Sequence, residues 1–223
     1  MCPAVATTRE HAPPQCFFPE GYRNNLVTVP SCPEHNLGHS EDVDYVRNVI
    51  CGQSGTNDVA AQVFETAKRS YNHSPALFAQ TFGEVRTVVV DGEETGAFPI
   101  DLPRHRAVMK AIAHALYYRD AGERHDGGFE VFSPSIHHRD NIYGGRPDPA
   151  DGFRRYLESG TFKAMPVSEP RVFKYGVLDI GEGQLLYRFE FYEGFVVNAW
   201  TRSFKLSPLL YLPVGTMWIR SAE

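Results

Sequence analysis

The sequence predicts an α+β protein, in which a small, irregular N-terminal unit (residues 1–52) is joined to a larger mixed α+β domain (residues 53–223) that ends in an antiparallel meander. The N-terminal unit contains all four cysteines and six of the sixteen prolines, but little hydrophobic periodicity. Near the C-terminus, three alternating runs at 172–180, 185–192 and 195–200 are separated by glycine-containing turns. This pattern is typical of adjacent antiparallel strands. Apolar residues at helical spacing between the two regions predict the helices of the α+β class.

Local signals place the individual elements along the chain. Residues 26–29 predict a short strand, and apolar positions over 43–50 predict a helix that begins near Ser40, where early acidic residues favour the helix dipole. Residues 52–57 have the composition of a linker. The remaining predicted elements are a helix at 58–71, a hairpin of 85–90 with 97–100, a helix at 104–119, a strand at 129–132 and a helix at 152–157.

Length and composition exclude several classes of protein. The chain has 223 residues, 42% of them hydrophobic, so it is long enough to form a core and too apolar to be disordered. No apolar run approaches the length of a membrane span, and the N-terminus shows no secretory signal. We therefore expect a cytoplasmic protein without membrane contact, in which cysteines are thiols or metal ligands. The formal net charge of −5 argues against a generic basic protein that coats nucleic acid.

Four polar residues in the N-terminal unit point to a hydrolytic metal site. Glu10 and Asn36 offer the oxygen ligands that a hard divalent cation prefers. His11 is adjacent to Glu10, and an imidazole beside a metal can deprotonate water near neutral pH. Asn25 directly precedes the predicted strand. This combination is suited to metal-assisted hydrolysis of a phosphodiester, in which the cation stabilises charge on the phosphate and on the leaving oxygen.

The segment that carries these residues resembles the HNH endonuclease family, also called ββα-metal nucleases. The resemblance covers about 45 of the 223 residues. The matching motifs are Glu10-His11, Pro13 or Pro14, Asn25-Leu26, and Cys32-Pro33-Glu34-His35-Asn36.

This resemblance implies a ββα-metal fold for residues 1–52 and an endonuclease that cleaves DNA with Mg²⁺ or another divalent cation. It implies that His11 is the general base that activates water and that Glu10 and Asn36 bind the catalytic metal. Asn25 would hold the loop that carries His11 through hydrogen bonds. His39 occupies the position at which family members often have a lysine that contacts phosphate.

A structural zinc ion is the weaker expectation, because the cysteine pattern of the family is incomplete here. Many relatives have two Cys-x-x-Cys knuckles, whereas this chain has Cys2 alone and the pair Cys32 and His35. These residues provide three ligands at most, unless Cys16 or Cys51 adds a fourth. From its surroundings, Cys16 is expected to be a small buried residue.

Several other groups have ordinary structural interpretations. We interpret the histidines at 137 and 138 as part of a solvated loop, and His105 and His114 as surface or satisfied interior residues of a helix. Aromatic residues on the predicted meander could stack nucleic-acid bases, but on alternating strands they more often form a core. These aromatic residues are Tyr187, Phe189, Phe191 and Tyr192.

Two other functions are weighed against a DNA endonuclease. In the first, the HNH fold is retained with weak or no catalysis, and the protein is a subunit that binds nucleic acid or protein. In the second, it is an RNA-cleaving toxin, because the sequence does not separate DNA from RNA. Residues 53–223 are an accessory domain of unknown role, through which the chain would form a homo-oligomer or bind a protein partner. Intact Glu10, His11 and Asn36 favour catalysis.

The charge distribution limits how DNA would be held. The net charge is −3 in residues 1–50, −3 in residues 51–150 and +1 in residues 151–223. The acidic excess therefore includes the predicted catalytic unit, and DNA affinity from this chain alone should be weak and sensitive to salt. The metal, another subunit or a basic face must supply the remaining attraction. The candidates for that face are Arg154, Arg155, Arg171 and Lys174.

Overall fold

The computed structural model describes residues 5–33, 40–53, 56–90, 92–138, 160–181, 183–201 and 215–219. The protein is a mixed α+β protein, as the sequence predicts, and it contains a five-stranded antiparallel sheet. Its helices are α1 (Ser40–Cys51), α2 (Asp58–His73), α3 (Pro75–Phe82) and α4 (Leu102–Ala121). Its strands are β1 (Thr8–His11), β2 (Thr28–Ser31), β3 (Arg86–Val90), β4 (Glu93–Ile100), β5 (Phe129–Phe132), β6 (His137–His138), β7 (Lys163–Ala164), β8 (Phe173–Asp179), β9 (Leu185–Phe191), β10 (Phe195–Thr201) and β11 (Gly215–Ile219).

The N-terminal region contains an antiparallel pair of strands followed by a helix. Strands β1 and β2 pair so that Thr8 lies opposite Ser31 and His11 lies opposite Thr28. Helix α1 follows in the chain, with Glu41 and Asp42 in its first turn, where negative charge favours the helix dipole. This order of elements is compatible with the expected ββα module.

The structure confirms the antiparallel meander that the alternating runs near the C-terminus predict. Strands β8, β9 and β10 pair in succession, β5 extends the sheet beside β10, and β7 extends it beside β8. Large aromatic side chains from the inward face are almost completely buried, so they form the core rather than a stacking surface. They include Phe173, Tyr175, Tyr187, Phe189, Phe191 and Phe195.

The second sheet contains a non-local pairing. Strands β3 and β4 form the predicted hairpin, but β11, far along the chain, pairs with β4 and separates it from β6. Residues 137 and 138 belong to strand β6 and not to the loop that the sequence predicts. Their partner strand, β11, is distant in sequence, so no local sequence pattern predicts this pairing.

Helix caps determine the limits of two helices. The side chain of Asp101 accepts a hydrogen bond from the Arg104 amide at the start of α4, and Gly122 ends this helix with a left-handed φ of 75°. Helix α3 was not predicted from its short apolar run. Ser74 caps it and Pro75 occupies its first turn, a combination that is a recognisable helix-start signal. The helix predicted at 152–157 lies outside the described residues.

One hydrophobic core extends from the N-terminal region into the meander. Phe17 and Phe18 are buried in the same cluster as Phe191 and Tyr192, and the rings of Phe17 and Phe191 lie 5.4 Å apart. Helix α1 contributes the buried residues Tyr45, Val46, Val49 and Ile50 to this cluster. The boundary between residues 52 and 53 stays a prediction, but packing is continuous across it.

The predicted linker is anchored at one end. The Asn57 side-chain oxygen accepts hydrogen bonds from the amides of Val59 and Ala60 at the start of α2, at 3.1 and 3.3 Å. The side-chain nitrogen Nδ2 of Asn57 donates to the carbonyl oxygen of Arg171 and to the carboxylate of Glu193, at 2.8 and 2.9 Å. Asn57 therefore caps a helix and ties it to the meander.

Among the helices in the described ranges, none combines the length and apolar character needed to cross a membrane.

Candidate active site

The paired strands β1 and β2 position the predicted acid and base. Glu10 lies opposite Val29 and His11 lies opposite Thr28. Since side chains alternate between the faces of a strand, Glu10 shares a face with Ser31, two residues beyond Val29. The hydroxyl group of Ser31, which is buried, donates a hydrogen bond to Oε2 of Glu10 across 3.2 Å. Ser31 therefore orients the Glu10 carboxylate.

A cavity of about 490 Å³ lies between this strand pair and helix α4. Both Glu10 and His11 border it. Val29 from β2 and Cys32, which directly follows β2, also border it. The opposite wall comes from one face of α4, whose cavity-lining residues recur at helical spacing. This wall includes Ala107, Lys110, Ala111, His114, Ala115 and Tyr118. The predicted catalytic pair thus faces a helix that lies about one hundred residues further along the chain.

Two positively charged side chains border the cavity. Lys110 projects from α4, and its ammonium group lies 3.4 Å from Oε2 of Glu130. Arg124 lies just beyond the end of α4. Guanidinium and ammonium groups are the usual protein partners of phosphate. The cavity is therefore bordered by the adjacent residues Glu10 and His11 of β1 and by two cations from the side of α4.

His114 does not add a third positive charge to this cavity at neutral pH. Burial lowers the pKa of its imidazole to about 4, and the repulsion of nearby positive groups, including Lys110, acts in the same direction. Its ring packs edge-on against Phe129 at 4.9 Å. The neutral His114 ring therefore contributes a largely apolar surface to the cavity, and its ring nitrogens can form hydrogen bonds.

The structure describes only part of the predicted site. Glu10 and His11 lie together at the cavity, whereas Cys2, His35, Asn36 and His39 lie outside the described residues. Asn25 is exposed in a turn with a left-handed φ of 50°. Among the described residues, no hydrogen bond joins its side chain to the segment that carries His11. Its role stays a prediction.

The cysteines do not form a described metal cluster. Cys32 is buried at the cavity, and Cys51 is buried in the core, where desolvation raises the pKa of its thiol to about 12. Burial also raises the pKa of Cys16, which is half-buried, whereas a buried residue was expected from the sequence. Within the described ranges, no three His, Cys, Asp or Glu residues are grouped so that they could hold a metal ion.

Two residues of the predicted basic face, Arg171 and Lys174, are paired with carboxylates in the structure. Arg171 forms an ion pair with Asp58, and Lys174 lies 3.0 Å from a carboxylate oxygen of Glu190. Arg154 and Arg155 lie outside the described residues. Sequence reasoning did not select Lys110, Arg124 or Ser31 as site residues. Lys110 belongs to a predicted helix, but only the packing of that helix beside β2 brings it to the site.

Comparisons of the chain with models of protein families, with curated proteins and with solved structures found no match.

Proposed function

We propose that this protein is a divalent-metal-dependent endonuclease that hydrolyses phosphodiester bonds in DNA. The observation that carries the proposal is the shared cavity: Glu10 and His11 border the same space as Lys110 and Arg124. An acid and an imidazole opposite two cations form a suitable environment for an anionic phosphodiester and an attacking water molecule.

His11 is the proposed general base. Histidine is the side chain best able to accept a proton near neutral pH, and removal of a proton from water makes it a stronger nucleophile towards phosphorus. His11 lies at the end of β1, beside the Glu10 carboxylate in sequence and at the rim of the cavity. The strand pairing of β1 with β2 limits the movement of this segment.

Glu10 and Asn36 are the proposed ligands of the metal. The Glu10 carboxylate is part-buried and has one oxygen oriented by Ser31, an arrangement that suits a hard cation such as Mg²⁺. When bound, the cation supplies stabilisation of negative charge on the phosphate and on the leaving oxygen. Lys110 and Arg124 would add positive charge on the opposite side of the cavity, and His39 is a proposed phosphate contact.

The proposal includes a cytoplasmic location, and the unpaired thiols of Cys16 and Cys51 support it. Residues 53–223 supply one wall of the cavity through α4, so in this proposal the accessory region belongs to the nuclease itself. The proposal also includes binding of this region to a second copy of the chain or to another protein.

A plasmid-nicking assay tests the proposed function. Wild-type protein with Mg²⁺ or Mn²⁺ is expected to convert supercoiled plasmid to open-circular or linear DNA, and His11→Ala is expected to lower the rate by at least about 100-fold. His73→Ala is the matched control, because His73 is exposed at the end of α2, away from the cavity. Circular dichroism verifies that each variant is folded.

Equal cleavage by wild-type and His11→Ala protein would refute the assignment of His11 as the base. Absence of cleavage by the wild type with either metal, combined with binding of DNA, would favour the alternative of a binding subunit that retains the HNH fold. A parallel assay with RNA distinguishes the two nucleic acids.

A further inference from the structure

The cavity beside Glu10 and His11 is larger and more apolar than a phosphate needs. Its volume of about 490 Å³ lies within the range of about 300–1,000 Å³ that is usual for pockets that enclose a small organic ligand. Apolar side chains from three elements form most of its wall, beyond the rim that Glu10 and His11 occupy. They include Val29, Val43, Val108, Ile112 and Ala115.

Several α4 residues that line the cavity are accessible to solvent. Ala107 and Ala111 are exposed although they line it, and their small side chains leave space between α4 and the strand pair. Tyr118 follows on the same face of α4 and is half-buried. A partly accessible aromatic ring in a cavity is a surface on which a planar ligand can stack.

The charged groups indicate where the ligand is anionic. Lys110 and Arg124 border the cavity from the α4 side, and Glu10 borders it from β1. A phosphate alone would leave the apolar volume empty, whereas the positive charges of Lys110, which also contacts Glu130, and of Arg124 favour a ligand with an anionic group beside its apolar part. A nucleotide has both parts, an anionic phosphate and an apolar base with a planar face.

We propose that the cavity accepts one nucleotide of a single-stranded nucleic acid, with its base against the α4 wall beside Tyr118 and its phosphodiester at the Glu10–His11 rim. This inference rests on the proposed function for the position of the phosphodiester. In a duplex the bases are paired and stacked, and a base enters a protein cavity only after it is flipped out at an energetic cost. In a single strand the base faces are already accessible. The site therefore favours single strands, and a duplex reaches it only where a base is flipped out or unpaired.

Fluorescence anisotropy tests the inference without cleavage. The probe is a short, fluorescent oligodeoxynucleotide of mixed sequence with cleavage-resistant linkages, used as a single strand and as a duplex with its complement, in low salt with Mg²⁺. The wild-type protein is expected to bind the single strand at least about tenfold more tightly than the duplex, because stacking of one base contributes to affinity only in the single strand. The same strand made of RNA shows whether the sugar matters.

Two variants address the cavity itself. Ala111→Leu fills the space, and Tyr118→Ala removes the stacking surface, so each is expected to weaken single-strand binding about tenfold and to leave duplex binding within about twofold. Ala61→Leu is the matched control for the first variant, because Ala61 is an exposed alanine on α2 that does not line the cavity. Tyr118→Phe, which keeps the ring, is the control for the second.

Three results would overturn the inference: equal affinity for the single strand and the duplex, single-strand binding that neither variant changes, or no binding of either probe. The nicking assay separates this failure from failure of the proposed function. A protein that cleaves plasmid in a His11-dependent manner but shows no preference for single strands remains a nuclease without the proposed nucleotide site.

Discussion

The hydroxyl group of Tyr192 donates a hydrogen bond to the backbone carbonyl oxygen of Phe17 across 2.6 Å, although the two residues are 175 positions apart in the chain. Both residues are buried. Tyr192 follows β9 in the turn that leads to β10, and Phe17 lies in the loop between β1 and β2. This bond therefore connects the segment that carries the candidate catalytic residues to the five-stranded sheet.

Removal of this hydroxyl is expected to destabilise the whole protein. In Tyr192→Phe the ring remains, but the buried carbonyl oxygen of Phe17 loses its donor, which costs about 1–3 kcal/mol. The free energy of unfolding, measured with urea, provides the test. Tyr22→Phe is the control, because Tyr22 is half-buried and its hydroxyl makes no hydrogen bond among the described residues. Equal stability of both variants would contradict the connecting role of Tyr192.

Ser31 is expected to act as a positioning residue for Glu10. Ser31→Ala removes the hydrogen bond to Oε2 of Glu10, so the carboxylate is less ordered and about tenfold more Mn²⁺ is needed for half-maximal nicking. The rate at saturating Mn²⁺ should change little, since the reacting groups remain. A titration of nicking rate against Mn²⁺ concentration measures both quantities.

Thr28→Ala is the matched control for Ser31→Ala. Thr28 lies on the same strand, but on the opposite face, where its hydroxyl accepts a hydrogen bond from Arg9 at 2.6 Å. Loss of this hydroxyl should leave the Mn²⁺ requirement within about twofold of wild type. If the two variants require the same Mn²⁺ concentration, Ser31 does not position the carboxylate.

Buried histidines are expected to make the protein less stable in acid. Burial lowers the pKa of His105 to about 3, with a smaller contribution from the charge of Arg106. The unfolded chain takes up a proton on this side chain below about pH 6.5, whereas the folded protein does not. The free energy of unfolding therefore rises with pH in this window and decreases on acidification. His114 contributes in the same direction.

His105→Gln should flatten this dependence by about 1.4 kcal/mol per pH unit below pH 6, because one titrating group is lost from the unfolded chain. Urea unfolding between pH 7 and pH 4 gives the slopes. His73→Gln is the control for the loss of an imidazole, since its ring is exposed. An unchanged slope in His105→Gln would show that this histidine is not held neutral by the fold.

The elements with strong periodicity were predicted closely. The three runs near the C-terminus correspond to β8, β9 and β10, and the helix expected at 104–119 corresponds to α4. Each of these elements repeats its apolar positions with the period of its own secondary structure, and glycine turns or caps limit it. The evidence for them lies within the element or beside it.

Pairings and packing between distant segments were not predicted. The insertion of β11 between β4 and β6 depends on partners far apart in the chain, and helix α3 is too short for a clear periodic pattern. The continuous core that joins Phe17 to Phe191 could not be read from either segment alone, because any buried aromatic residue satisfies the same local pattern.

By itself, the sequence determined the α+β class, most helices and strands, and the candidate pair Glu10 and His11, because all of these are properties of neighbouring residues. Only the tertiary structure decided that this pair borders a cavity, that Ser31 orients the carboxylate, and that Lys110 and Arg124 face it. The physical reason is that a cavity is the space left between packed elements. Its walls come from β1 and α4, which approach each other only when the shared core forms.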